Sequence, residues 1–183
     1  MCQILLRRPV PSALAIAIFV ILADQLNKWW TITRTFGTSS ADFFSWLMAS
    51  GEQIVHPAVQ VLPSFNLVMV WNKGISFGML QQQNNLMPTL LSVMALLIAG
   101  GFLFWVRQST TKCITLATGL IVGGALGNVW DRVRFGAVAD FYDVYIGSWH
   151  WPAFNIADSA ISIGVVLFLI KMLQEKPAAR VSP

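Results

Sequence analysis

Four stretches of this 183-residue chain are each long and apolar enough to cross a lipid bilayer, and they dictate what it can fold into. A spanning helix needs about 20 mainly apolar residues, because the hydrocarbon core is about 30 Å thick. The first stretch runs from about Ser12 to Trp30 and is interrupted only by Asp24 and Lys28. The second, about Leu86 to Val106, and the third, about Cys113 to Trp130, carry no charge. The fourth, about Asn155 to Leu173, has Asp158 near its start and Lys171 near its end. Composition agrees, with 56% apolar and 11% charged residues, where a soluble domain carries about 25% charge. A soluble fold of this size must present a wetted exterior, and this chain has too little polar surface to do so. A soluble enzyme, a disordered tail and a coiled coil are thereby disfavoured. The expectation is a single polytopic membrane domain over residues 1–183, an all-α bundle of four transmembrane helices.

The placement of Lys and Arg predicts orientation. Arg7, Arg8, Arg107, Lys112, Lys171, Lys176 and Arg180, seven of the twelve basic residues, fall at the short ends on one side. Lys28, Arg34, Lys73, Arg132 and Arg134 are spread over longer connections on the other. The basic-rich side faces the cytoplasm, which puts both termini inside and the 31–85 and 131–154 connections outside. The net charge of +4 includes no basic run interleaved with aromatics, so no nucleic-acid partner is expected. Cys2 and Cys113 both fall on the reducing side, and no disulfide is expected. Arg7 and Arg8 precede an apolar run, as in a secretory signal, but no A-x-A-like cleavage site follows. An uncleaved first span is therefore expected.

The outer connections carry their own patterns. Residues 41–50, with Phe43, Phe44, Trp46 and Leu47, suit a short amphipathic helix lying in the membrane interface. Residues 65–71 and then Asn72 to Gly78 read as strand, turn and strand, and residues 144–151 as a hairpin turning at Gly147-Ser148. A small sheet on the outer surface follows, with Trp149 and Trp151 at headgroup depth. In the third span Gly119, Gly123 and Gly127 repeat at four-residue spacing, a face that lets another helix approach closely.

Four of the eight acidic residues, Asp131, Asp140, Asp143 and Asp158, lie within 28 positions of one another at the outer side. Asp24 lies at matching depth, about 24 Å of helix beyond Arg8, and Asp158 lies about 20 Å from Lys171. Ionisable groups at such depth are costly and by default functional. Each also has a plainer reading. Asn155 can cap the fourth helix with Asp158 in its first turn. Asp131 reads as a local ion pair with Arg132, Asp143 as a solvated hairpin residue, and Asp42 and Glu52 as surface charges. His56 and His150 stand singly and read as interfacial.

The residue set narrows the chemistry. Nucleophilic catalysis needs Ser or Cys beside a base, but Cys113 is on the wrong side and neither histidine adjoins a motif serine. Zinc chemistry needs ligand spacing such as H-E-x-x-H, which is absent. Two aspartates sharing a proton remain. Their repulsion raises one pKa, so that one serves as base and the other as acid on a shared water, without metal or cofactor. The residues alone leave open whether Asp131 or Asp140 partners Asp158. A metal-dependent lipid phosphotransferase would read Gly136 to Asp140 as G-x-x-x-D. The next acid, Asp143, falls at D-x-x-D rather than D-x-x-x-D spacing, and no D-G-x-x-A-R block precedes it. A proton-coupled carrier is disfavoured by the lack of an internal repeat.

At these residues the chain resembles the lipoprotein signal peptidases, or signal peptidase II family, over about residues 14–172. ADQLNKWW (23–30) resembles the D-Q-x-x-K block through Asp24, Gln25 and Lys28. WNKGISFGML (71–80) resembles N-x-G-x-x-F through Asn72, Gly74 and Phe77. GGALGNVWDR (123–132) resembles G-N-x-x-D-R, GAVADF (136–141) resembles G-x-V-x-D-F, and FNIADSAISIG (154–164) resembles F-N-x-A-D-S. Any one block is weak; five in order on four spans are specific. The resemblance implies an inner-membrane aspartic endopeptidase with an extracytoplasmic β-cradle, cleaving prolipoproteins just before the diacylglyceryl-modified cysteine. It implies Asp140 and Asp158 as the catalytic dyad. Asp24, Lys28, Asn128, Asp131, Arg132 and Asn155 would give polar support, and Asn72 and Gly74 would form part of the substrate site. It implies no metal or other cofactor, and as partners lipidated prolipoproteins and membrane lipids, with a monomer expected. Ala139 stands where valine is usual, and Lys73 and Ile75 vary the second block.

Overall fold

Helix α1 (Pro9–Trp29) opens on a proline at its first position, where a missing N–H costs nothing. In this computed structural model, which describes residues 9–37, 41–74, 86–109 and 111–174, α1 does not stop at Trp30. It continues as a π-helical segment, Trp30–Thr35, ended by the Phe36 N–H donating to Thr31 O at 3.0 Å. Thr33 Oγ1 donates back to Trp29 O at 2.7 Å. A hydroxyl in a helix interior competes for the backbone in this way and loosens it. On α1, Asp24, Gln25 and Lys28 share one buried face, while Ile18 and Phe19 lie exposed on others.

Helix α2 (Phe43–Met48) is short. Asp42 starts it by accepting the Phe44 and Ser45 N–H groups, each at 3.0 Å. Strands β1 (Val59–Leu62) and β2 (Phe65–Asn72) form a hairpin across Pro63 and Ser64, whose φ of +70° closes the turn. The strand expected upstream of Asn72 is therefore present, but its hairpin partner precedes it in the chain. The second strand expected toward Gly78 falls outside the described residues, as do Phe77 and Ile75. The basic residues Arg7, Arg8, Lys176 and Arg180 of the orientation argument also lie outside them, as does Cys2.

Helices α3 (Leu86–Val106) and α4 (Lys112–Phe135) follow, then β3 (Val138–Ile146), β4 (Trp149–His150) and α5 (Ile156–Gln174). α1, α3, α4 and α5 are the four described helices long and apolar enough to span a membrane. The sheet is antiparallel in the order β1-β2-β3-β4. β3 and β4 turn at Gly147-Ser148, pairing Ile146 with Trp149, where the sequence pattern put that hairpin. The sequence pattern did not show that β3 begins at Val138, so that the GAVADF block lies partly on a strand.

α4 is the most buried of the four, and its glycines explain why. A Cβ at Gly119 would lie 2.8 Å from Ala13 O, and at Gly123 2.7 Å from Ala17 O. At Gly127 it would lie 3.0 Å from Asp24 Oδ2. This stripe seats α1. The neighbouring Gly124 seats α5, with its absent Cβ 2.3 Å from Ala157 O. α4 runs five residues past its expected end and closes at Gly136, whose φ of +69° suits a helix-ending glycine. The chain then turns directly into β3. Beneath the sheet, Ile32, Trp46, Phe135 and Ala139 form an apolar cluster with Trp29, Met69 and Trp71 around it.

Candidate active site

The C-terminal ends of α1 and α4, the N-terminal end of α5 and the first half of β3 bring the acidic residues to one end of the bundle. Asp140 is buried on β3, paired in register with Val70 of β2. Asn72, at the end of β2, donates Nδ2 to Asp140 Oδ2 at 3.1 Å. Gly74 keeps that amide in orientation: its N–H donates to Asn72 Oδ1 at 3.0 Å. Its φ of +120° strains any larger residue, and a Cβ there would press on Leu91 Cδ1 at 2.8 Å.

Asp158 sits in the first turn of α5. Its N–H donates to Asn155 Oδ1 at 2.9 Å, and its Oδ2 accepts the Asn155 N–H at 3.3 Å. The capping expectation therefore holds, and it leaves Oδ1 directed elsewhere. Asn128 of α4 donates Nδ2 to that Oδ1 at 2.7 Å. Asn155 in turn donates Nδ2 to Asp140 Oδ1 at 2.7 Å, with Asn128 Oδ1 at 3.2 Å and Ala139 O at 3.3 Å. Asp140, Asn155, Asn128 and Asp158 thus form one continuous chain of side chains. Burial, and then the nearby Asp158 charge, push the Asp140 carboxyl up to about 7, against the pull of hydrogen bonds from Asn72 and Asn155.

A second cluster lies behind the first. Lys28, Asp24 and Asp131 are all wholly buried, with Lys28 Nζ 2.7 Å from Asp24 Oδ2 and 2.7 Å from Asp131 Oδ2. Gln25 donates Nε2 to Asp24 Oδ2 and to Asp131 Oδ1, each at 3.0 Å. This corrects the expected local ion pair of Asp131 with Arg132. Position 131 faces α1, so its partner comes from 103 positions upstream rather than from the next residue. Asp131 is therefore already occupied, whereas Asp140 reaches Asp158 through the two asparagines. Arg132 remains within the field of Asp131, Asp140 and Asp158, and its Nε is buried without a hydrogen-bond partner among the described residues.

Asp143 is not freely solvated. Asn66 donates to it at 2.9 Å, and His150 Nδ1 lies 2.8 Å from its Oδ1. Burial opposes these contacts, yet the hydrogen bonds from His150 and Asn66 hold its carboxyl below the usual carboxylate range. His150 also stacks on Tyr145 at 5.0 Å, and His56 packs on Phe36. Two participants were not legible as site residues. Gln25 was visible only as part of a block. Arg134 bridges α4 to α2 and the residue after it: its guanidinium lies 4.1 Å from the Trp46 ring centre and donates to Trp46 O and to Ala49 O. It also reaches Gln25 Oε1 at 3.5 Å.

Fold and site together define a class: a multi-pass membrane protein whose aspartates meet at one end of a helix bundle beside a small antiparallel sheet. The sequence profile of the family described as signal peptidase (SPase) II matches residues 16–174. A lipoprotein signal peptidase of Methylorubrum extorquens (strain PA1) is 38% identical over 165 residues, covering 90% of this chain and 87% of that protein. One of Paraburkholderia phymatum (strain DSM 17167 / CIP 108236 / LMG 21445 / STM815) is 37% identical over 182 residues, covering 96% and 98%. A solved bacterial membrane enzyme matches with a TM-score of 0.69 at 26% identity, over 94% of both chains. This chain belongs to the signal peptidase II family and is a membrane protease.

Proposed function

We propose that this protease removes the signal peptide of prolipoproteins with Asp140 and Asp158 as its aspartic dyad, cutting just before the diacylglyceryl-modified cysteine. The relatives carry the name lipoprotein signal peptidase. The observation that carries the dyad is the hydrogen-bonded chain from Asp140 through Asn155 and Asn128 to Asp158. A water between the two acids loses a proton to one carboxylate as its oxygen attacks the scissile carbonyl. The other carboxyl gives its proton to the leaving amine as the C–N bond breaks. Asn72, Asn128 and Asn155 orient the carboxylates, and Arg132 supplies positive charge beside them. This chemistry draws on no metal or other cofactor.

The lipidated cysteine enters sideways with its acyl chains in lipid, while the sheet acts as a cradle that takes the extended peptide by strand addition. α2 lies along the interface, with Phe44 and Met48 toward lipid, a placement supported by their exposure beside buried Trp46. Trp149 and Trp151, both exposed, sit at headgroup depth. The site faces the outer side of the inner membrane and both termini the cytoplasm, supported by the Lys/Arg distribution. The protein works as a single polytopic domain and a monomer, without nucleic acid.

The test is to incubate purified protein with lipidated and unlipidated forms of one precursor, with and without a chelator. Only the lipidated form is cleaved, and the chelator changes nothing. Asp140→Asn and Asp158→Asn each abolish cleavage while leaving the protein folded. Near-normal cleavage by either variant overturns the dyad, and loss of activity on chelation overturns the metal-free mechanism.

A further inference from the structure

Granted that Asp140 and Asp158 form the dyad, an assignment on which this inference rests, we propose that Lys28 is the positioning residue that sets their separation. It clamps two carboxylates, each of which holds the backbone one residue ahead of a catalytic aspartate. Asp24 meets Lys28 Nζ through Oδ2 and accepts the Ala157 N–H on Oδ1 at 3.0 Å. Asp131 meets the same Nζ through Oδ2, and that oxygen accepts the Ala139 N–H at 3.2 Å. Ala157 precedes Asp158, and Ala139 precedes Asp140. One ammonium group is therefore the node between the first turn of α5 and strand β3, the two elements that carry the dyad.

The physics favours a geometric role over a purely stabilising one. A wholly buried ion cluster contributes little net stability, because desolvation offsets the Coulombic gain. It does fix distances. Without the cation, two carboxylates held this close in a low-dielectric interior either repel or take up a proton, and the two amides they hold move with them. Gln25, which donates to both, cannot supply the missing charge. The Lys28 charge also acts on Asp140, favouring its ionised form.

The test compares Lys28→Met, the triple variant Asp24→Asn/Lys28→Met/Asp131→Asn, and Asp140→Asn, using a lipidated precursor in detergent micelles. For Lys28→Met the expected kcat falls about 100-fold, the loss typical of a displacement near 1 Å, with KM within about twofold of wild type. Its alkaline limb moves to higher pH. In the triple variant the repulsion is gone and the amide oxygens still accept both N–H groups, so kcat recovers about tenfold over Lys28→Met. Folded Lys28→Met with kcat within about threefold of wild type overturns the proposal, as does a triple variant no faster than Lys28→Met. If Lys28→Met does not fold, the triple variant decides alone. A kcat about tenfold below wild type at unchanged KM supports the proposal, and wild-type kcat with an unmoved alkaline limb overturns it. Near-normal cleavage by Asp140→Asn removes the dyad and this proposal together. An inactive Asp140→Asn beside a full-rate Lys28→Met removes this proposal alone.

Discussion

Asp140 holds its proton to about pH 7, and two consequences follow at the scale of the single residue. The first concerns rate. The proposed dyad needs one proton between its two acids, so activity is expected to fall as pH rises through about 7, and a kcat profile between pH 5 and 9 measures the midpoint. The second concerns stability, and its sign is opposite to that of a salt-bridged aspartate. An unfolded aspartate loses its proton near pH 4, whereas folded Asp140 keeps it to about 7. Between these limits the folded state binds more protons, so the contribution of Asp140 favours folding at acid pH and declines as pH rises toward 7. Melting temperatures of wild type and Asp140→Asn across that range check this: the wild type declines from about pH 4 toward 7, and the variant, uncharged throughout, lacks that part of the decline. Asn155→Ala removes the donor to Asp140 Oδ1 and the cap of α5 together. Loss of an N-cap costs about 1 kcal/mol, so its melting temperature drops modestly while activity falls far more.

At the scale of the element, α4 carries the sharpest expectations. Gly123→Leu drives a side chain into Ala17 O of α1, and Gly124→Val drives one into Ala157 O of α5. Each destabilises by about 1–3 kcal/mol or more, because backbone cannot yield as a side-chain tip can. Gly100 and Gly101 of α3 face open space, with nothing within 4 Å of a built Cβ. Alanine there stabilises by about 0.4–1 kcal/mol, since it narrows the unfolded ensemble without a clash. Thermal melts of the four variants in one detergent separate the two groups. The four-residue glycine spacing was legible in the sequence as a close-packing face, but not which helix it meets. Spacing on one helix says nothing of its neighbour until tertiary contacts form. The hairpin at Gly147-Ser148 was legible because a two-residue turn leaves a local signature. The β1–β2 hairpin was missed, because its turn at Pro63-Ser64 carries no Asn-Gly or Asp-Gly pair.

Across the whole molecule, the same contrast between local and distant partners governs what the sequence discloses. The acids could be read from the chain as a set, because depth along a helix follows from rise per residue. Their pairing could not. Asp131 was matched to adjacent Arg132, whereas its partner is Lys28 on another helix. Arg134 reads from the sequence only as one of the outer-side basic residues, because its contacts are with the Trp46 ring, two backbone carbonyls and Gln25, none close in sequence. It fastens α2 and the segment following it to the end of α4, with help from Gln53, whose Nε2 donates to Phe135 O at 2.7 Å. Arg134→Met should therefore loosen residues 46–54, the end of α2 included, without melting the spanning helices. Losing a ring contact and its hydrogen bonds costs about 1–2 kcal/mol, so amide exchange in that segment rises about tenfold in lipid nanodiscs. Unchanged exchange there would show that the segment is held by its apolar contacts alone.

The hydrogen bond from the Ala157 amide to Asp24 joins the first membrane helix to the last. On a ribosome these two pieces emerge far apart in time, and residue 158 follows the first three described spanning helices. The proposed dyad is thus incomplete until three spanning helices have been made. A half-made copy, lying in the same lipid as its future substrates and as its own neighbours, holds neither of the two acids proposed to cut.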